Sequence, residues 1–361
     1  MIHAPAVLAA IAITPSAPDG GWRVLRRMAA DPAQVLVGRA PQEAARLAPL
    51  IFNLCGAAHA RAAAAALGLG REEDAPALAQ AAARERARDH ARAILVDWPQ
   101  ALGAPPDRTS LGLLARPDGA PALARALAGE AGEVCAFSLA ELNAWLAAGE
   151  TPTVRLLARL RRETDPAFGR AGLPVLTPER LGAMMAPAPD APSPTRGEGE
   201  RGAPLAQSPL PPAGEEDLSV GRVLSPLETG ALARCAATPL FRTVLAHEGP
   251  TLFARLLARL ADGLHALSGA PEPALSAPPG VGLAFAARGL LAHGARVQSG
   301  RVAAYRVVSP SAWTLAPGGL MDRALATLPA GAEGARLAPL LVSALNPCVP
   351  VSFPAAEAAH A

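Results

Sequence analysis

The sequence predicts a mainly α (α+β) fold, with a buried helical core and a small β element in the C-terminal third. Three observations predict it. The 361 residues are 51% hydrophobic but only 3% aromatic, and the apolar set is mostly Ala, Leu and Val, which suits helices packed through small and medium side chains. Helix-period segments with capping signals recur along most of the chain. The period then switches to strand-like runs around a turn within residues 281–308. A chain of this length buries a core without disulfide or metal staples.

Taken in order, the opening MIHAPAVLAAIAITPSAPDGG is apolar but short, and Pro5 and Pro15 bracket it. It reads as a strand, because a secretory leader would begin with a basic segment and end at a small-residue cleavage site. Residues 41–70 read as helix, break, helix: Pro41 suits a first turn, Pro49 and Gly56 disturb the middle, and Gly68 and Gly70 stop the run. Cys55 and His59 fall at that break. Further helices are predicted near 74–97, 119–133, 138–148 and 152–163, with Ser138 and Glu141 as a capping box and Pro152 at a first helical position.

From 186 to 217 Pro, Gly, Ser and Glu dominate. Such a segment buries too little apolar surface to offset its ordering entropy, so a disordered linker is expected. Its halves, SPTRGEGE and SPLPPAGEE, echo each other, which fits either a translated repeat element or an ordinary Pro-rich linker. Residues 1–185 and 218–361 then form the N-terminal and C-terminal parts of one domain. After the linker, PLFRTVLAHEGPTLFARLLARLADGLHALSG reads as amphipathic helix interrupted near Gly249-Pro250, and QSGR is the strongest hairpin signal in the chain. A last helix near 335–345 delivers Asn346-Pro347-Cys348.

A formal net charge of +2 leaves no electrostatic footprint for nucleic acid. No run reaches the roughly 18–20 apolar residues that span a bilayer, and a soluble cytoplasmic protein with reduced thiols is expected. The four cysteines, Cys55, Cys135, Cys235 and Cys348, are widely separated, and no pair has tetrahedral zinc spacing. A free cysteine ordinarily behaves as a small buried hydrophobe, and Cys135 and Cys235 fit that reading. Cys55 is followed four residues later by His59, while Cys348 occupies a Pro-flanked turn that can project a sulfur into a pocket. Asn346-Pro347-Cys348 looks like half of a C-x-x-C whose second thiolate position is Val351.

The wider pattern resembles the large subunit of nickel–iron hydrogenases. VGRAPQEAARLAPLIFNLCGAAH is similar to that family's Gly-Arg turn and helix ending in R-I-C-G-V-C-x-x-x-H. Gly38, Arg39, Cys55 and His59 match, and Phe52 stands for the first cysteine. The C-terminal stretch resembles D-P-C-x-x-C-x-x-H: Pro347 and Cys348 match, while Asn346, Val351 and Pro354 replace the aspartate, the last cysteine and the histidine. LETGALAR (227–234), AARGLLAHG (286–294) and YRVVSPSAW (305–313) look like three further family segments, in the same order.

The resemblance implies a reduced large-subunit fold in which both ends of the chain bring Cys55 and Cys348 together. It implies an arginine, Arg288, overhanging the metal site, and a hydroxyl, Ser311, able to hydrogen-bond a cyanide ligand; a salt-bridged surface arginine and a turn-forming serine are the plain alternatives. His59 is a further ligand, a hydrogen-bond donor to a thiolate, or a structural histidine. In that family nickel is held by four thiolates, two of which bridge to an iron carrying CO and CN. Cys55 matches a bridging position and Cys348 a nickel-terminal one. Phe52 and Val351 remove two soft ligands, so no nickel is expected, and Asn346 cannot ionise for proton handling.

Degenerate relatives of this kind are the HupK-like hydrogenase expression/formation proteins, and LIFNLCGAAHARAA looks like their N-terminal motif. That resemblance implies no enzyme but a maturation scaffold that transiently binds an Fe(CN)2(CO) unit. Its implied partners are upstream maturation proteins (HypC/HypD-like) and the hydrogenase large subunit precursor, with neither nucleic acid nor membrane. The rivals are a metal-free docking chaperone, a divergent hydrogenase-like redox enzyme, and a hydrolase built on Cys55 and His59, for which no third orienting group is evident.

Overall fold

The computed structural model describes residues 6–16, 21–70, 74–131, 133–186 and 226–354. The linker expected at 186–217 lies, apart from Ala186, outside the described residues. Among them, six strands form two three-stranded sheets. The first joins β1 (Ala6–Ser16), β2 (Gly21–Ala30) and β6 (Val351–Ser352) in the order β2-β1-β6. The second is the meander β3 (Val281–Ala286), β4 (Gly289–Gln298) and β5 (Arg301–Val308).

The predicted opening strand is β1, but β2 was not foreseen. Its segment GWRVLRRMAA carries three arginines, which hide a strand signal. In the fold, Arg26 is satisfied by the Leu315 carbonyl and the Asp322 carboxylate, each at 2.6 Å. β6 is equally invisible in sequence. Its two residues pair in parallel with β1 at Ile11↔Val351 and Ala12↔Ser352, so the segment just after Cys348 is tied to the first strand.

The helices that matter for the site are α1 (Pro41–Ile51), α2 (Gly56–Ala66), α3 (Ala75–Arg92), α4 (Leu252–Leu267) and α5 (Ala332–Leu345). α3 runs on through a π-helical turn at Ala93–Asp97. The capping box forms, with Ser138 N–H donating to Glu141 at 2.7 Å and Glu141 N–H to Ser138 Oγ at 3.2 Å. The helix expected at 119–133 is shorter, spanning Gly119–Ala128, because Gly129 turns left-handed at φ +71°. At the predicted hairpin, Ser299 (φ 49°) and Gly300 (φ 73°) are both left-handed, as a type I′ turn requires.

One core cluster takes residues from Ile11 to Leu345, and so from both sides of the linker. α4 is buried along nearly its whole surface and forms the axis around which α3 and α5 pack. α2 lies flat on the second sheet. A Cβ built on Gly282 of β3 would stand 1.9 Å from the Ala62 carbonyl oxygen and 2.8 Å from the Ala66 nitrogen, so only glycine lets the strand approach the helix that follows Cys55 and carries His59.

Gly282→Ala therefore forces apart two backbones that have no side-chain slack. It is expected to destabilise the fold by about 3 kcal/mol or more, read as a lowered midpoint in urea denaturation.

Candidate functional site

The site is built where α1 breaks. After Ile51 the chain turns at Phe52 (φ −106°, ψ 57°) into a 3-10 turn, Asn53–Cys55. Cys55 becomes the residue before α2, and its side chain is buried. The first free N–H groups of α2, at Ala57 and Ala58, donate to the Glu85 carboxylate at 2.8 and 3.4 Å. A helix N-terminus would otherwise favour a thiolate. Here Glu85 of α3 has taken it.

The second thiol arrives from the other end of the chain. α5 stops at Asn346, whose left-handed backbone (φ 50°, ψ 63°) suits asparagine as a C-cap, and Pro347 prevents continuation. Cys348 N–H then donates to Ser311 Oγ at 2.7 Å, and its thiol donates to Ser309 Oγ at 3.7 Å. The Ser311 hydroxyl proton has no acceptor among the described residues.

Arg288, in the turn between β3 and β4, joins the two segments. Its Nη1 donates to the carbonyl of Leu54 at 3.3 Å, and its Nε to the carbonyl of Pro347 at 3.4 Å. Each carbonyl belongs to the residue just before a cysteine. Cys55 and Cys348 thus flank one guanidinium, near enough for Cys55 to feel the charge of Cys348. Burial pushes the Cys55 thiol up to about 12; Arg288 pulls it down, while Cys348, Glu85 and Asp89 push it further up. At neutral pH Cys55 is a thiol.

Behind Arg288 stands Asp89 of α3. Its carboxylate pairs with Arg288 Nη2 and Arg259 Nη2, both at 2.9 Å, and accepts from Asn346 Nδ2 at 2.9 Å. Burial raises its pKa, but Arg259, Arg288 and the Asn346 hydrogen bond outweigh that and hold the carboxyl below the usual range. An ionised carboxylate could not take the place of Asn346 here, because the side chain must donate to Asp89. Next along α3, His90 Nε2 lies 2.6 Å from Asp262 Oδ2, and Asp262 also pairs with Arg86 and Arg234.

His59 is hydrogen-bonded to a second histidine. Its Nδ1 is 2.8 Å from His293 Nε2, and His293 Nδ1 is 2.6 Å from Tyr305 Oη. Phe52 stacks on the His59 ring, with centroids 4.6 Å apart and planes at 16°. Burial, helped by Arg288, pushes His59 down to about 3. His293, fully buried, is also held well below its ordinary value by burial and by His59.

Val351 is committed to the β1 ladder, and Cys135 and Cys235 lie side by side, Cys235 inside the main core and Cys135 against it. Glu85, Asp89 and Arg259 were not singled out in the sequence, and Tyr305 entered only as the first residue of YRVVSPSAW. In RERARDHAR, Glu85 and Asp89 read as one more solvated helix face, and only their i,i+4 spacing marked a shared side.

Comparison with known proteins identifies this architecture. Residues 220–326 match the family model of nickel-dependent hydrogenase. The Ni-Fe-Se hydrogenase from D. vulgaris Hildenborough in the reduced state superimposes with a TM-score of 0.54 at 16% identity, covering 91% of this chain and 93% of that chain. An NAD+-reducing [NiFe]-hydrogenase in the H2-reduced state gives 0.50 at 18% identity, covering 92% and 93%. The fold is that of the nickel–iron hydrogenase large subunit.

Two proteins are much nearer in sequence. The hydrogenase expression/formation protein HupK of Rhodobacter capsulatus is 34% identical over 331 residues, 91% of this chain and 90% of its own. HoxV of Cupriavidus necator, similarly described, is 30% identical over 361 residues, 90% of each. The chain belongs to this family of hydrogenase expression/formation proteins.

Two measurements check the site. Cys55, buried and protonated, is expected to resist iodoacetamide at pH 8 while Cys348, half-buried, is alkylated first, as peptide mass spectrometry would show. His59, His293 and His90, the last pushed down to about 4 by burial, stay neutral in the fold but bind protons below about pH 6.5 when unfolded. The unfolded state then holds more protons, so stability falls on acidification from 6.5 toward 4. The loss approaches about 1.4 kcal/mol per pH unit for each histidine, seen as a falling Tm.

Proposed function

We propose that this chain is a hydrogenase maturation accessory protein whose thiols Cys55 and Cys348 hold an Fe(CN)2(CO) unit as cargo before it passes to a hydrogenase large subunit precursor. The observation that carries the reading is the Arg288 strap, which binds the backbone just before each cysteine. Its kinship with HupK and HoxV supports a maturation role.

The chemistry of the residues fits such a cargo. Fe(II) with two cyanides has no net charge, so the buried site is spared a bare dication. Each sulfur must lose its proton to bind, and each thiolate adds one negative charge beside the Arg288 guanidinium. Soft sulfur suits low-spin iron that already carries CO and CN. The Ser311 hydroxyl, whose oxygen already accepts from Cys348 N–H, has its proton left for a cyanide nitrogen.

Nickel fits poorly. The positions of two further thiolates hold Phe52, stacked on His59, and Val351, paired in β6. Neither side chain can ligate a metal, and both are used in packing. The role is therefore accessory, with upstream maturation proteins supplying the unit.

A metal-free docking chaperone is favoured by one observation, the apolar surface beside Cys55, where Leu50 is 71% and Leu54 54% exposed. Infrared spectroscopy separates the readings. Protein purified anaerobically from a hydrogenase-producing host is expected to carry iron with CO and CN bands. Cys55→Ala or Cys348→Ala should each lower that iron by more than the roughly 10–100-fold typical of outer-shell changes. Metal-free protein whose pull-down of maturation partners ignores both substitutions would leave only the chaperone, and hydrogen-dependent dye reduction would make it an enzyme.

A further inference from the structure

The two cysteines that the proposed function leaves unused are brought together by the fold. Cys135 sits in a 3-10 turn, Val134–Ala136, and Cys235 ends a short helix, Ala231–Cys235. One comes from each side of residues 187–225, and they meet because the next helix, Pro239–His247, packs on the turn that carries Cys135. Both thiols are free, and they are in hydrogen-bond contact with each other. Thr238 frames the pair. Its N–H and its hydroxyl both donate to the Cys235 carbonyl, at 2.9 and 2.8 Å, and its side chain also reaches the Cys135 sulfur.

The two sulfurs are unequal. Cys235 is 4% exposed inside the main core, with its thiol 3.8 Å from the Ala258 carbonyl. Cys135 is half-buried against that core. The hydrogen bond from Cys235, helped by Thr238, holds the Cys135 thiol below its ordinary range against burial and the charges of Glu133 and Asp262. The same bond, with burial, holds Cys235 well above its own. The proton therefore stays on Cys235, and the sulfur that ionises is the more exposed one. Packing alone requires neither a shared hydrogen bond nor that division.

We propose that Cys135 and Cys235 form a peroxide-reactive dithiol that closes to an intramolecular disulfide. The Cys135 thiolate attacks the terminal oxygen of a hydroperoxide: an S–O bond forms, the O–O bond breaks, and the leaving oxygen takes a proton from solvent and departs as an alcohol or, from hydrogen peroxide, as water. Cys235 then attacks the sulfenic sulfur. The S–S bond forms, the S–O bond breaks, and the departing hydroxide leaves with the Cys235 proton as water. Two electrons, one from each thiol, reduce the hydroperoxide. A resolving thiol already in contact stops oxidation at the disulfide, which a thiol reductant reverses. Neither Cys55 nor Cys348 takes part, so the proposal stands apart from the cargo reading.

The full chain, reduced, exposed to a slight excess of hydrogen peroxide and blocked with N-ethylmaleimide, tests this by peptide mass spectrometry without reduction. One linked pair is expected, joining the Cys135 peptide to the Cys235 peptide with the loss of two hydrogens, and dithiothreitol should split it. Cys235→Ala should leave Cys135 as a sulfenic acid that dimedone traps. The Cys55→Ala/Cys348→Ala double variant should give the same linked pair as the wild type. Wild-type protein in which Cys135 and Cys235 are both recovered as maleimide adducts overturns the proposal, and so does Cys135 that runs on to sulfinic acid unlinked. The wild-type reading decides even where Cys235→Ala does not fold.

Discussion

The carboxylate of Asp89 is the point on which the site's geometry depends, since among the described residues it is the one acceptor shared by Arg259 of α4, Arg288 of the β3–β4 turn and Asn346 at the end of α5. Four elements distant in sequence meet on two oxygen atoms. A buried carboxylate without partners is costly, and so is a guanidinium left alone. Each partner therefore constrains the others: α5 must end at Asn346, and Arg288 must turn inward. Once Arg288 is held by Asp89, its remaining N–H groups point at the carbonyls before the two cysteines. The placing of the two cysteines beside one guanidinium follows from a charge network that contains neither.

The charged groups that act on Cys55 are Arg288, Glu85 and Asp89. Burial keeps the proton on Cys55 and on Tyr305 and keeps it off His59 and His293. In the proposed reading, this environment selects for a metal fragment whose charge is already cancelled by its own ligands. It also supplies a hydroxyl proton, at Ser311, for such a ligand.

Much of the fold was legible in the sequence because its signals are local. Pro41 and the Gly56 break delimit α1 and α2, Ser138 and Glu141 close a capping box, and Ser299-Gly300 makes a turn that almost any context would keep. Cys55, His59, Arg288, Ser311, Asn346 and Cys348 were legible for another reason, their place in spaced motifs. The rest was hidden. β2 carries arginines that only tertiary partners neutralise, and β6 is two residues long. Asp89 and Glu85 sit in a helix whose charges resemble any solvated face until α4 and α2 cover them.

By itself the sequence determined the helical class, the two half-motifs and the loss of two thiolates, because backbone propensity, capping and residue identity act over a few neighbours. Only the tertiary structure decided that Arg288 spans both cysteines, that Asn346 serves Asp89 as a donor, and that His59 is tied to His293 and Tyr305. Hydrogen bonds and buried charges act over about 3 Å in space, and nothing in the order of residues says which groups the folded chain will bring that close.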